Sequence, residues 1–356
     1  MLNKTRVVQN CCRKFFTHWR DRCSAESQNP RVASIAINMT PTSSSWGGGN
    51  QWLQQFIWFL TLYGYHISFD LNSSVDCIIL VDPRVGGLIK FGAEEIKHYK
   101  QHYPQTVCIH RINECDQRKH THEMDELLRH ANQVADFTIF ISKWLLNYHR
   151  ERWFDQRQPH CVIYNGADPK IFHPIGSLVF SPQKPLRLVT HHWSDNWNKG
   201  FRIYQEIDRL IAAQNLVDTE LWVIGRWPKE LQWNAAKTFK PVNGMQLASL
   251  LRQCHVYVTA SLWEPCGMHH IEGAQCGLPV LYHEDGGGIV ESACQYGVAF
   301  RDEIGEAVLQ ARQNYHMLRQ QALELAPSGS DMCTAYQQII QRLIAKQCEK
   351  NMKTYG

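Results

Sequence analysis

The chain has 356 residues, 44% of them hydrophobic and 20% charged, with a formal net charge of +4. That length exceeds one ordinary core and predicts two domains sharing a cleft, and the composition excludes a disordered chain. The mild positive charge supports only weak attraction to anions such as nucleotides, acidic glycans or lipid headgroups, and no nucleic-acid partner is expected.

Residues 1–30 stand apart as a basic N-terminal extension. Val7, Val8, Cys11, Cys12, Phe15, Phe16 and Trp19 fall on one face of a predicted helix, with Arg6, Arg13 and Arg20 on the other. Such a helix over residues 1–24 suits an anionic membrane surface; packing on its own protein or on a partner is the alternative. The thirteen cysteines include no CxxC pair, so neither a zinc ribbon nor a disulfide framework is indicated. They read as reduced thiols in a cytoplasmic protein, peripheral at the inner face of a membrane if the extension binds lipid. No early apolar run resembles a signal sequence, and FIWFLTLYGY is too short to span a bilayer. Twelve tryptophans fit either sugar sites or plain core packing.

From Arg31 the pattern becomes strand, Gly-rich turn, helix: RVASIAINM, TPTSSSWGGGN, then QWLQQFIWFLTLYG closed by Gly64. DCIILVDPR, TVCIHRIN and DFTIFIS follow as short buried-sheet runs, separated by helical stretches such as EEIKHYKQHY and EMDELLRHANQV. This alternation predicts a doubly wound α/β domain over residues 31–178. It pauses at NGADPKIFHPIGSLVFSPQKP, which holds four prolines and reads as the linker. A second α/β domain over 179–330 then runs through LRLVTHHW, GFRIYQEIDRLIAA, TELWVIGRW, QLASLLRQC, HVYVTAS, MHHIEGAQCG and LPVLYHE. The last helices are amphipathic, and residues 331–356 are expected to pack back on the first domain.

The stretch EPCGMHHIEGAQCGLPVL, Glu264 to Leu281, gathers two carboxylates, adjacent histidines and several glycines at the carboxyl end of a predicted strand. A metal, a nucleophile or a phosphate-bearing polyhydroxylated ligand would each use such a cluster. A metal set from Glu264, His269, His270 and His283 lacks the HExxH spacing. Cys266 and Cys276 have no paired base in view. A turn opening a helix leaves N–H donors unpaired beneath a positive dipole end, which suits phosphate. Two carboxylates beside it suit the hydroxyls of a sugar and a ribose, at about 1.5–3 kcal/mol per charged hydrogen bond.

Glu264-Pro265, Gly267, Glu272 and Gly277-Leu278-Pro279-Val280, with Gly286-Gly287-Gly288 and Glu291, resemble the C-terminal signature of family-four retaining glycosyltransferases. WGGGNQWL, ADFTIFIS, YNGADPKIFHP, NWNKGF and VIGRW are similar to further motifs of that family, in the same order. The resemblance implies α/β GT-B architecture, two facing Rossmann-like domains with a cleft between them. It implies a nucleoside diphosphate sugar as donor substrate, a glycan or lipid-linked acceptor, and neither a metal nor another cofactor. It further implies that Lys199 neutralises the diphosphate, Glu264 contacts the transferred hexose, and Glu272 holds the ribose. Gly267, Met268 and His269 would offer backbone donors, and Gly48, Gly49, Gly225 and Arg226 would border the donor. His110 would reach the sugar across the cleft. Asp116 and Arg118 either face the cleft or are solvated.

One position departs from the family pattern. Where many members carry an Arg six residues before the Lys, this chain has Trp193, so His192 or Arg111 would have to replace the cation. Two other readings stay open: a catalytically silent GT-B subunit or sugar-binding module, and a sugar-nucleotide epimerase of the same architecture.

Overall fold

A computed structural model describes residues 33–42 and 47–355 of the chain. The basic N-terminal extension and its proposed membrane helix lie outside the described residues. The first sheet begins with β1 (Ser34–Ile37), which leads through the Gly-rich loop into α1 (Gly48–Leu62). After β2 (His66–Ser68) and β3 (Cys77–Leu80) come α2 (Ala93–His102), β4 (Val107–Ile112), α3 (Asp116–Lys119) and α4 (Met124–Ala131). The unit ends with β5 (Phe137–Phe140), α5 (Lys143–Arg150) and β6 (His160–Val162). All pairings are parallel, in the order β2-β1-β3-β4-β5-β6.

The second sheet is built from β7 (Leu186–His192), α6 (Phe201–Ala212), β8 (Thr219–Gly225), β9 (Lys237–Phe239), α7 (Gly244–Leu251) and β10 (Val256–Thr259). It continues through α8 (Met268–Gln275), β11 (Val280–His283), α9 (Gly288–Ala293) and β12 (Gly297–Phe300). Its strands are again parallel, in the order β12-β11-β10-β7-β8-β9. The chain closes with α10 (Ile304–Gln313), α11 (Tyr315–Leu325) and α12 (Gly329–Tyr355). Among these described residues no helix is long and apolar enough to cross a membrane.

Both sheets are covered on two sides, so their central strands are apolar on both faces. In β3, Cys77 and Ile79 face α1 and α12, while Ile78 and Leu80 face the cluster around Ile96 and Tyr99 on α2. The four edge strands β2, β6, β9 and β12 are short and largely unburied. They lack the continuous apolar run that makes a central strand legible, and the sequence reading passed over them.

In each sheet the strand order reverses next to the first strand, at β1 and at β7. Ligands of open α/β sheets bind at the carboxyl ends beside such a reversal. The Gly-rich loop follows β1, and the Glu264 loop follows β10, the neighbour of β7. The described residues from Ser34 onward form one compact unit. α12 helps to close it by leaving the second lobe and lying on the first, where Tyr336 is fully buried against Trp52 and Phe56, with ring centroids 5.5 and 5.3 Å away.

Tyr336 also accepts from Arg111 Nε at 3.1 Å. Tyr336→Phe should therefore cost about 1 kcal/mol and Tyr336→Ala about 3–5 kcal/mol in urea-unfolding free energy. A loss below about 1 kcal/mol for the alanine variant would show that α12 is not anchored on the first lobe.

Candidate functional site

A cleft of about 520 Å³ lies between the carboxyl ends of the two sheets. From the first lobe it is lined by Gly47–Asn50, Arg111, Glu114, Arg118 and Asn165; from the second by His191–Trp193, Lys199, Arg226, Glu264, Gly267–His269 and Glu272. Gly267 is the N-cap of α8, and a Cβ there would come within 2.5 Å of His269 Cε1 and 3.1 Å of Glu264 Cγ. Only glycine fits, and its lack of a side chain leaves the first-turn N–H groups of α8 open to the cleft. Across the gap, a Cβ on Gly48 would lie 2.7 Å from Met268 Cγ. Two helix N-termini, of α1 and α8, therefore meet at one place.

Lys199 ends a short 3₁₀ turn that Asn196 caps by accepting from Asn198 N at 2.8 Å. Gly200, at φ +84°, then turns the chain so closely under β10 that a Cβ would lie 2.3 Å from Ala260 O. This turn delivers Lys199 Nζ to 2.5 Å from Glu264 Oε2. The other carboxylate oxygen is 3.1 Å from Arg118 Nη2, which comes from the opposite lobe. Arg118 is held in turn by Glu114 at 2.8 Å, and its carbonyl accepts from Asn198 Nδ2 at 3.0 Å. Burial alone would raise the Glu264 pKa, but the Arg118 and Lys199 charges outweigh it and hold the carboxyl at about 2. Burial lowers the Lys199 ammonium despite Glu264, so the pair carries a desolvation cost that a bound anion would share.

Glu272, on α8, is 1% exposed. Its Oε2 lies 2.9 Å from His191 Nε2, while His191 Nδ1 is 3.1 Å from the Tyr257 hydroxyl. Despite that proximity, neither Glu272 Oε1 nor Oε2 has a hydrogen-bond partner among the described residues, which leaves both able to accept from ligand hydroxyls. His191 was missed in the sequence, where THHW carried no cue to which histidine faces the cleft.

The position of His110 overturns its assignment as a cleft residue. It is fully buried, its Nδ1 lies 2.9 Å from Asn132 Oδ1, and burial pushes its pKa down to about 4. Successive strand residues point to opposite faces, so on β4 His110 faces away from α12 and its neighbour Arg111 faces toward it. Arg111 stacks 4.1 Å over Trp52 and donates to Asn165 Oδ1 at 2.9 Å. Its Nη1 has no partner among the described residues. His192 is no substitute cation: burial lowers its pKa well below the usual value, and Nε2 is engaged with Tyr204 at 2.8 Å. Arg118 is the cation that stands beside Glu264.

Gly225 acts at one remove from the cleft. At φ +111° a Cβ would lie 2.0 Å from His192 O, so glycine is needed to turn the chain, and Arg226 then donates to Trp193 O at 3.0 Å. His269 bonds Thr259 Oγ1 at 2.9 Å, and His270 points to Ser292 Oγ at 3.0 Å. Burial pushes the Cys266 and Cys276 thiols up to about 12, far from thiolate nucleophiles. Among the described residues no group of three or more His, Cys, Asp or Glu side chains could hold a metal. Glu291, on α9, accepts from Lys143 N at 3.1 Å, from Trp144 N and from the Tyr164 hydroxyl at 2.5 Å. It thereby caps α5 of the opposite lobe.

Residues 189–314, most of the second lobe, match the family model Glycosyl transferases group 1. No curated protein sequence matches the chain. Among solved structures it is similar to a sucrose-phosphate synthase from Thermosynechococcus elongatus, with TM-score 0.62, 15% identity, and coverage of 88% of this chain and 99% of that one. It is also similar to HepE of Anabaena in complex with UDP and glucose (0.61, 12%, 87% and 100%). The catalytic domain of starch synthase IV from Arabidopsis thaliana, bound to ADP and acarbose, is a further match (0.60, 11%, 88% and 99%). At these identities the likeness carries the fold, which is GT-B.

The depressed Glu264 pKa contributes stability that is present above its ordinary value of 4.5 and lost as pH falls through about 2. Glu264→Gln leaves two half-buried cations without their shared carboxylate, Arg118 keeping Glu114, and should cost about 1–3 kcal/mol at pH 7. The gap to the parent protein in urea unfolding should shrink steadily below pH 4.5. A gap that is constant with pH would rule out the two-cation pairing.

Proposed function

We propose that this chain transfers a hexose from a nucleoside diphosphate sugar to a hydroxyl of a glycan or lipid-linked acceptor, with retention and without a divalent ion. One observation carries the reading: a buried carboxylate, Glu264, gripped by cations from both lobes, beside the open N-terminus of α8. In the absence of ligand Glu264 stands in for an anion. A donor diphosphate would draw Lys199 and Arg118 to itself and release Glu264 to accept from sugar hydroxyls. Arg118 then supplies the second positive charge that Trp193 does not. The family match over the second lobe and the shared fold support nucleotide-sugar chemistry there.

In the reaction, the bond between the anomeric carbon and the β-phosphate oxygen breaks, and its electrons stay on the diphosphate. Negative charge grows on that leaving group, so its contacts with Lys199, Arg118 and the α8 N–H groups strengthen in the transition state. These groups take the place of a metal ion. The acceptor hydroxyl attacks the same face, and the departing phosphate oxygen takes its proton. Glu272, whose two oxygens have no hydrogen-bond partner among the described residues, offers them to ribose hydroxyls.

The second reading, a silent GT-B subunit or sugar-binding module, is favoured by Trp193 at the usual cation position. Incubating the protein with UDP-, GDP-, ADP- and TDP-sugars and following nucleoside diphosphate release by mass spectrometry, with and without EDTA, separates the two. Slow EDTA-resistant release from one donor is expected. Lys199→Ala should lower it about 100-fold or more, and Arg118→Ala about 10–100-fold. Neither release nor nucleotide binding would sink the transferase reading. Glu272→Ala should weaken donor affinity about tenfold or more; a change within about twofold would remove the ribose assignment.

A further inference from the structure

A second concavity, of about 270 Å³, lies beside the cleft and shares Asn50 and Gln51 with it. Gln51, Gln54, Gln55 and Trp58 of α1 form one wall, with Asp168 of the linker and Asn243, at the start of α7, opposite. Its chemistry contrasts with that of the cleft. Lysine and arginine are absent from its lining; Asn50 and Gln54 bond Thr42, and the carboxamides of Gln51, Gln55 and Asn243 can both donate and accept as sugar hydroxyls do. Trp58 is 46% exposed at the outer end, with Lys170 Nζ 3.2 Å from its ring centre.

Gln55 is the most telling of these groups. It is only 9% exposed, with its side chain in the wall of the groove. It can lie there only because residue 329 is glycine: a Cβ would fall 1.7 Å from Gln55 Nε2. Its amide lines the open groove, where a sugar hydroxyl can replace water as its hydrogen-bond partner. From Asn50 to Trp58 the helix advances about 12 Å, and the volume lies near the lower end of small-molecule sites.

We infer that this groove is a subsite for a neutral glycan, holding a mono- or disaccharide portion of an acceptor whose reacting end lies in the cleft past Asn50 and Gln51. The inference rests on the transferase reading for the acceptor's role, but not for the binding itself. The full chain is titrated with maltotriose, cellotriose and β-1,4-mannotriose, followed by tryptophan fluorescence and saturation-transfer NMR. At least one should bind with millimolar affinity. Trp58→Ala and Asn243→Ala, both at exposed positions, should each weaken that binding by about threefold to tenfold. Both should leave acceptor-independent nucleoside diphosphate release unchanged and raise the KM for the bound trisaccharide. Failure of all three sugars to bind at about 10 mM, or unchanged affinity in both variants, overturns the subsite. Trisaccharide binding in a protein that neither binds nor turns over nucleotide sugars overturns the transferase reading and leaves the groove standing. Donor turnover without trisaccharide binding does the reverse.

Discussion

The Glu264 carboxylate, taken out of water between Lys199 of its own lobe and Arg118 of the other, is the constraint on which the cleft depends. A buried carboxylate with one partner would be a liability, because desolvation costs more than a single imperfect pair returns. Two cations reverse that balance and hold the group ionised. Because they come from different lobes, the same electrostatics that charges Glu264 draws the lobes together. Glu114 extends the chain of alternating charge behind Arg118, so the guanidinium is aimed rather than free.

Around this centre, neutral groups repeat the same crossing. Asn165 accepts from Arg111 and donates to Cys266 O at 2.8 Å, the carbonyl immediately before the α8 N-cap. Glu291 crosses in the other direction to cap α5. The linker and the start of α12 run so close that a Cβ on Gly166 would meet Ser328 O at 2.3 Å. These contacts place the α8 N-terminus against the α1 N-terminus, so two sets of unpaired N–H donors and their dipoles converge. Converging partial charges and the two cations beside Glu264 give the cleft a positive wall.

Parts of this were legible in the residues. The central strands announced themselves as apolar runs because both sheet faces are covered, whereas β2, β6, β9 and β12 stayed hidden because an edge strand buries little. The Glu264–Glu272 spacing and the Lys199-Gly200 turn are local features, written in consecutive residues, and both border the cleft. Arg118 reads in the sequence, with Asp116, as a charge that either faces the cleft or is solvated. Whether such a charge is solvated or aimed depends on Glu114 and Glu264, and Glu264 is 146 positions away on the other lobe. His110 and Arg111 show the role of strand facing: adjacent on one strand, they point to opposite faces, and Arg111 rather than His110 lines the cleft.

The sequence by itself determined the α/β alternation, the two-lobed division around a proline-rich linker, and the carboxylates and glycines at the second strand reversal. Each of these follows from periodicity or from the sterics of neighbouring residues, which act over a few positions. Only the tertiary structure decided which cation of the first lobe stands beside Glu264, which histidine lies against Glu272, and which amides of α1 line a second groove. Those outcomes depend on the relative placement of two lobes and on strand facing, and a contact across a cleft leaves no periodic trace in either of the segments that make it.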